Sequence, residues 1–321
     1  MADETIMPKS FFDRYQAGEC AAVWADLVAL DAGVRHELYL EDARAVARET
    51  MRRARKNVVT IIGRLEQLDY EFLDSHNAAA QHLDHMNDLD GMLRGTSMPT
   101  TLFSGLTHAA GQMGMDPQAM MAKAMDHARE QMAGFMPKLA EMKFRAEQRA
   151  AVAIKKPPLQ DPAVYQLPPK NTAKLLAKLE TMAGGPLPLS LKAWFEEVGN
   201  VCLMGEHPTL NPAQHPVAPD PLVMFPLDAA LDWMGDEESD ELFIDLSPDD
   251  LHKADISGGG PYCMRLPDAA ADGKFLDERH NGTLVEYLRL SFEWGGFPGW
   301  EGSSDAPTKE IEFLREGLLP I

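Results

Sequence analysis

The sequence predicts an α+β protein in which an all-helical region precedes a mixed domain. Three observations predict it. Apolar residues recur every three or four positions from Glu19 to Leu30 and from Glu41 to about Leu73, as in helices that bury one face. A proline-rich stretch, KKPPLQDPAVYQLPPK, breaks that pattern. Beyond it, short β-type runs alternate with helical ones across turn-forming Pro, Gly, Asp and Asn, which implies a mostly antiparallel sheet flanked by helices. The expected division is an N-terminal helical region (1–75), a Met-rich helical insertion or extension (76–154), a Pro-rich linker (155–170) and an α+β domain (171–321).

The first helix is expected over Glu19 to Leu30, where Cys20, Val23, Trp24, Leu27 and Leu30 share a face and Gly18 marks the start. A longer one follows from Glu41 to about Leu73. Its stripe is Ala43, Ala47, Met51, Ala54, Val58, Ile61, Leu65 and Leu68, which needs a partner to cover it. The opposite side carries Arg44, Arg48, Arg52 and Arg55 one turn apart. Glu41, Asp42 and Glu49 nearby favour a solvated face with intrahelical ion pairs over a phosphate-binding one. Periodicity is lost from His76 to Thr101, which reads as a loop. It returns at Asp116–Pro117, a capped helix start, and Met121, Met125, Met132, Met136 and Leu139 continue it, bent near Gly134 and Pro137, to about Ala150. Flexible methionine side chains suit an adaptable groove, although ordinary helix–helix core is the plainer reading of the spacing.

In the C-terminal half, Asn171 heads a helix through Leu175, Leu176 and Leu179. A second short helix carries Leu191, Trp194, Phe195 and Val198 on its apolar face, with Leu187 and Pro188 leading in and Gly199 permitting a left-handed exit. Strands are expected at Val201 to Met204, Pro221 to Phe225, Leu242 to Leu246 and Tyr262 to Leu266, then a helix from Thr283 to Trp294 with Leu284, Tyr287, Leu288 and Ser291 on one face. Trp194, Trp294 and Trp300 are expected in the core.

The phrases LPLSLKAWFEEVGNV, DPLVMFPL, SPDDLHKADISGGGPYCMRLP, TLVEYLRLSFEWGGFPGW and FLREGLLPI occur in this order over roughly the last 150 residues. Together they resemble the SUKH superfamily, the group that includes the fungal Smi/Knr regulators and bacterial immunity proteins. The resemblance implies a non-enzymatic domain that binds other proteins, in its bacterial members a toxin that it neutralises by surface contact. It carries over no catalytic residues.

Composition points the same way. The chain has 321 residues, 45% of them hydrophobic, enough for a sizeable core. No basic leader and no run of about 18 apolar residues stands out, so a cytoplasmic location without membrane contact is expected. Cys20, Cys202 and Cys263 lie far apart and read as reduced packing residues. A net charge of −20 disfavours nucleic-acid phosphates and favours a basic protein partner, for which a toxin nuclease domain would serve. Between Ala193 and His252 there is no Lys or Arg. The acidic centre of that stretch, Asp236, Glu237, Glu238, Asp240 and Glu241, is the candidate partner-binding surface, although a solubilising face is the plainer reading.

Sites for chemistry are weaker. His76, His82 and His85 with Asp84, Asp88 and Asp90 offer metal donors but no zinc spacing, and no metal or other cofactor is expected. Gly258, Gly259 and Gly260 read as a turn. His207, His215, His252 and His280 lie in loops near carboxylates, which leaves an unrecognised hydrolase as one alternative function. The other is a regulatory scaffold that binds partners through its helical half.

Overall fold

A computed structural model describes residues 10–73, 157–212, 218–233, 242–254, 256 and 259–321. Its centre is α3 (Leu40–Gln67), against which elements from both ends of the chain pack. Every residue of the expected stripe from Ala43 to Leu65 is buried, and so are Val46, Thr50, Asn57 and Ile62. Burial this wide means that α3 is covered on more than one side. α1 (Phe11–Gln16) and α2 (Cys20–Ala29) take one side, the latter inserting Val23, Trp24 and Leu27. α1 is a helix that periodicity did not reveal; Ser10 caps it, and Asp42 of α3 accepts from the Phe11 and Phe12 amides. α3 stops short of Leu73 because the backbone turns through Asp69 in the left-handed region and enters β1 (Glu71–Phe72).

The Pro-rich segment avoids α-helix as expected, but it is not a linker between domains: its described residues belong to the body of the fold. A 3₁₀ turn, Pro158–Gln160, packs on α3, and β2 (Tyr165–Gln166) pairs antiparallel with β3 (Asn200–Cys202). Next come α4 (Thr172–Met182) and α5 (Leu189–Glu197), the second of which covers the remaining side of α3. In α5 Leu191, Trp194 and Phe195 are buried as the spacing predicts. Gly199 leaves the helix at φ 91°, and any Cβ there would collide with the Gln166 carbonyl, so glycine is required twice over.

The strands form three small antiparallel sheets where the spacing implied a single larger one. β1 pairs with β4 (Gly205–Glu206), β3 lies between β2 and β5 (Val223–Met224), and β6 (Leu242–Ser247) pairs with β7 (Tyr262–Leu266). The Phe225 amide donates to the Leu246 carbonyl at 2.8 Å and links the last two sets. Between them run α6 (Leu227–Trp233) and α7 (Asp250–Lys253). α8 (Leu284–Glu293) begins with a reciprocal cap, Thr283 accepting from the Glu286 amide and Glu286 from the Thr283 amide, and buries all four residues expected on its inner face. α9 (Thr308–Arg315) completes the chain of elements. The protein is α+β.

The described residues up to Leu73 and from Pro157 onward form one compact unit, and 74–155 lie outside the described residues. The expected loop from His76, the methionine helices and the His76–Asp90 donor cluster fall there. The helical region that the sequence sets apart therefore shares a core with the α+β region. Asn57 of α3 both donates to the Leu319 carbonyl (2.9 Å) and accepts from its amide (2.8 Å), and Arg64 donates to the Leu314 carbonyl.

Candidate functional site

The five candidate residues Asp236, Glu237, Glu238, Asp240 and Glu241 lie outside the described residues, but both anchors of their segment are in place. On one side α6 buries Leu227, Ala230 and Leu231 and exposes Asp228 and Asp232. On the other, β6 buries Ile244 and Leu246. Asp228 and Asp232, one helical turn apart on α6, are exposed acids of the same stretch that lacks Lys and Arg.

The first cation after this stretch, Lys253, does nothing to balance it at the surface. Its side chain is 0% exposed and its Nζ donates to Asp220 Oδ1 at 2.6 Å. The ammonium also lies 4.7 Å from the centre of the Tyr262 ring. Burial, with the charges of Asp220, Asp250 and Glu278, pushes the Tyr262 phenol up, so it keeps its proton. Asp220 holds a left-handed backbone conformation, φ 51°.

Asp249 leads into α7, accepting from the Leu251 and His252 amides at 2.8 and 3.0 Å and from the His252 ring. Burial opposes its ionisation, but these bonds prevail and hold the carboxyl below its ordinary range. Gly259, at φ 90°, presses so closely on this carboxylate that a side chain would displace it, in keeping with the turn expected at the glycine run.

Of the four loop histidines, His215 lies outside the described residues. His207 accepts from the Thr209 and Leu210 amides and stacks on Tyr70. His252 meets only Asp249 among the ion-pair partners described. His280 lies between two acids, Nδ1 on Glu278 at 2.9 Å and Nε2 on Glu301 at 2.7 Å, and the bond to Glu278 in particular raises its pKa. Both ring nitrogens face carboxylates, so each is already engaged and the protonated ring is favoured. Among the described residues, no cluster of three or more His, Cys, Asp or Glu is arranged to hold a metal.

The basic row of α3 is solvated, as its sequence implies, with Arg48 and Arg52 exposed, but most of its pairing runs to α5 and not within the helix. Arg48 reaches Glu196 (3.3 Å), Arg52 reaches Glu197 (3.2 Å) and Arg55 donates to the Glu197 carbonyl (3.3 Å), all on or beside α5. Arg44 alone of the four pairs within the helix, with Glu41. Two of the nearby acids are engaged elsewhere, Asp42 capping α1 and Glu49 holding Arg53.

One buried acid was not singled out by sequence. Asp272 accepts from the Val285 amide at the head of α8, and burial pushes its carboxyl up to about 6. The unfolded value is about 3.9, so between about pH 4 and 6 the folded chain binds the extra proton and stability falls as pH rises through that window. Asp272→Asn keeps the acceptor and removes the ionisation. Urea unfolding from pH 4 to 7 should therefore show the parent losing about 2–3 kcal/mol relative to this variant, with most of the loss below pH 6.5.

No family model, curated protein or solved structure matches this chain. Among the described residues, no helix is long and apolar enough to cross a membrane.

Proposed function

We propose that the protein is a non-enzymatic binding module whose acidic face, centred on Asp236, Glu237, Glu238, Asp240 and Glu241 and extended by Asp228 and Asp232, meets a basic protein partner. The supporting observation is the fate of Lys253. A stretch without Lys or Arg ends in a cation that is buried on Asp220, so the lysine that follows the stretch in sequence does not offset its charge at the surface. Such a field accelerates association with a cationic surface and is screened by salt. The resemblance to SUKH domains adds the specific form, in which the partner is a toxin domain and binding neutralises it in the cytoplasm.

The test uses the full chain, because cutting at 155–170 would strip α3 from α5 and expose the core. Tagged protein is recovered from its native cells and its partner identified. Association is then measured with Asp236→Lys, Glu237→Lys and Glu238→Lys combined. The triple variant should associate at least tenfold more slowly at low salt and lose its salt dependence. Unchanged kinetics would discard this face.

A further inference from the structure

The cleft between α3 and α5 plays no part in the acidic-face reading. It encloses about 250 Å³. Ala47, Leu189 and Ala193 line it and are almost fully buried, which makes them its floor. Arg44, Arg48 and Lys192 also line it, with side chains 39%, 50% and 28% exposed, and form its rim.

The rim cations are only partly committed. Arg44 gives Nη1 to Glu41, Arg48 gives Nε to Glu196, and Lys192 gives Nζ to Glu180. Each guanidinium has five donors, so both arginines retain donors for an anion, one helical turn apart on the same side of α3. Arg35, half-buried with its donors on the Leu187 and Ala269 carbonyls, lies within the field of this group: burial first, and then the charge of Arg44, lowers its pKa. Glu196 shares the lining, which disfavours a dianion. The volume is below the ~300 Å³ at which sites for drug-sized ligands begin, so the ligand is small.

We infer that this cleft binds a small organic monoanion, a carboxylate on a compact apolar group, with the carboxylate on Arg44 and Arg48 and the apolar group on Ala47, Leu189 and Ala193. The site is separate from the acidic face and does not depend on it.

Benzoate titrated into the full chain by calorimetry or NMR is the probe, with benzyl alcohol and inorganic phosphate as controls. Benzoate should bind one to one with a Kd of about 1 mM. Combining Arg44→Gln with Arg48→Gln should weaken it roughly tenfold, since charge-assisted bonds to arginine carry the recognition. Both side chains are substantially exposed, and an unchanged circular dichroism spectrum confirms that the variant is folded. Should it fail to fold, Lys192→Gln is titrated in its place, with a loss of about threefold expected. Benzyl alcohol and phosphate should each bind more weakly than benzoate. The proposal is overturned if benzoate does not saturate, if the folded variant binds it undiminished, or if either control matches it.

Discussion

Lys253→Met is expected to destabilise the folded chain by about 3–5 kcal/mol, because it leaves the Asp220 carboxylate buried without its counter-charge. Methionine fills a similar space, so the loss reports the stranded charge and not a cavity. Two companions make the result specific. Adding Asp220→Asn to the variant should recover most of the loss, since removing both charges of a buried pair is often close to neutral. In the single variant the deficit should shrink as pH falls, because protonating Asp220 removes the uncompensated charge. Urea denaturation of the parent, single and double variants at neutral and acid pH measures both. A loss under about 1 kcal/mol would place Lys253 at the surface and remove the main support for the acidic-face reading.

Trp194→Ala should cost about 3–5 kcal/mol, the range for truncating a large buried aromatic side chain. Trp194 is 0% exposed, and its Nε1 donates to the Gly199 carbonyl at 3.1 Å. It therefore pins the left-handed exit of α5 as well as filling the core. Trp194→Phe separates the two roles: most of the packing is kept, while the Gly199 carbonyl loses its donor, at a cost of about 1–3 kcal/mol. Trp294, only partly buried against the core, is the internal control and should lose less on truncation. Equal losses for Trp194→Ala and Trp294→Ala in urea melts would contradict this division.

These experiments bear on what the sequence could and could not disclose. The apolar face of α5, the glycine after it, the inner face of the helix that begins at Thr283 and the stripe of α3 were legible because they are local, set by residues three or four apart. Partners distant in sequence were not. Lys253 reads as a surface lysine until Asp220, 33 residues earlier, is brought against it. The arginine row of α3 reads as self-paired because Glu196 and Glu197 lie far away in sequence. β2 was hidden by its setting, since prolines on both sides of Tyr165–Gln166 mark extended chain without saying that the backbone between them joins a ladder. Of the candidate site, the acidic composition was legible, whereas the burial of Leu227, Ala230 and Leu231 on α6 and of Ile244 and Leu246 on β6, on either side of it, depends on partners distant in sequence.

The clamp of Asn57 on Leu319, joined by Arg53 on the Pro320 carbonyl and Arg289 on the Ile321 carbonyl, also governs how the chain is made. At ribosomal speeds of about 5–20 residues per second, the greasy sides of α3 leave the exit tunnel on the order of ten seconds or more before α5 and the final turn arrive to shield them. Contact order this high makes folding slow, and a nascent chain in this interval is a natural client for chaperones.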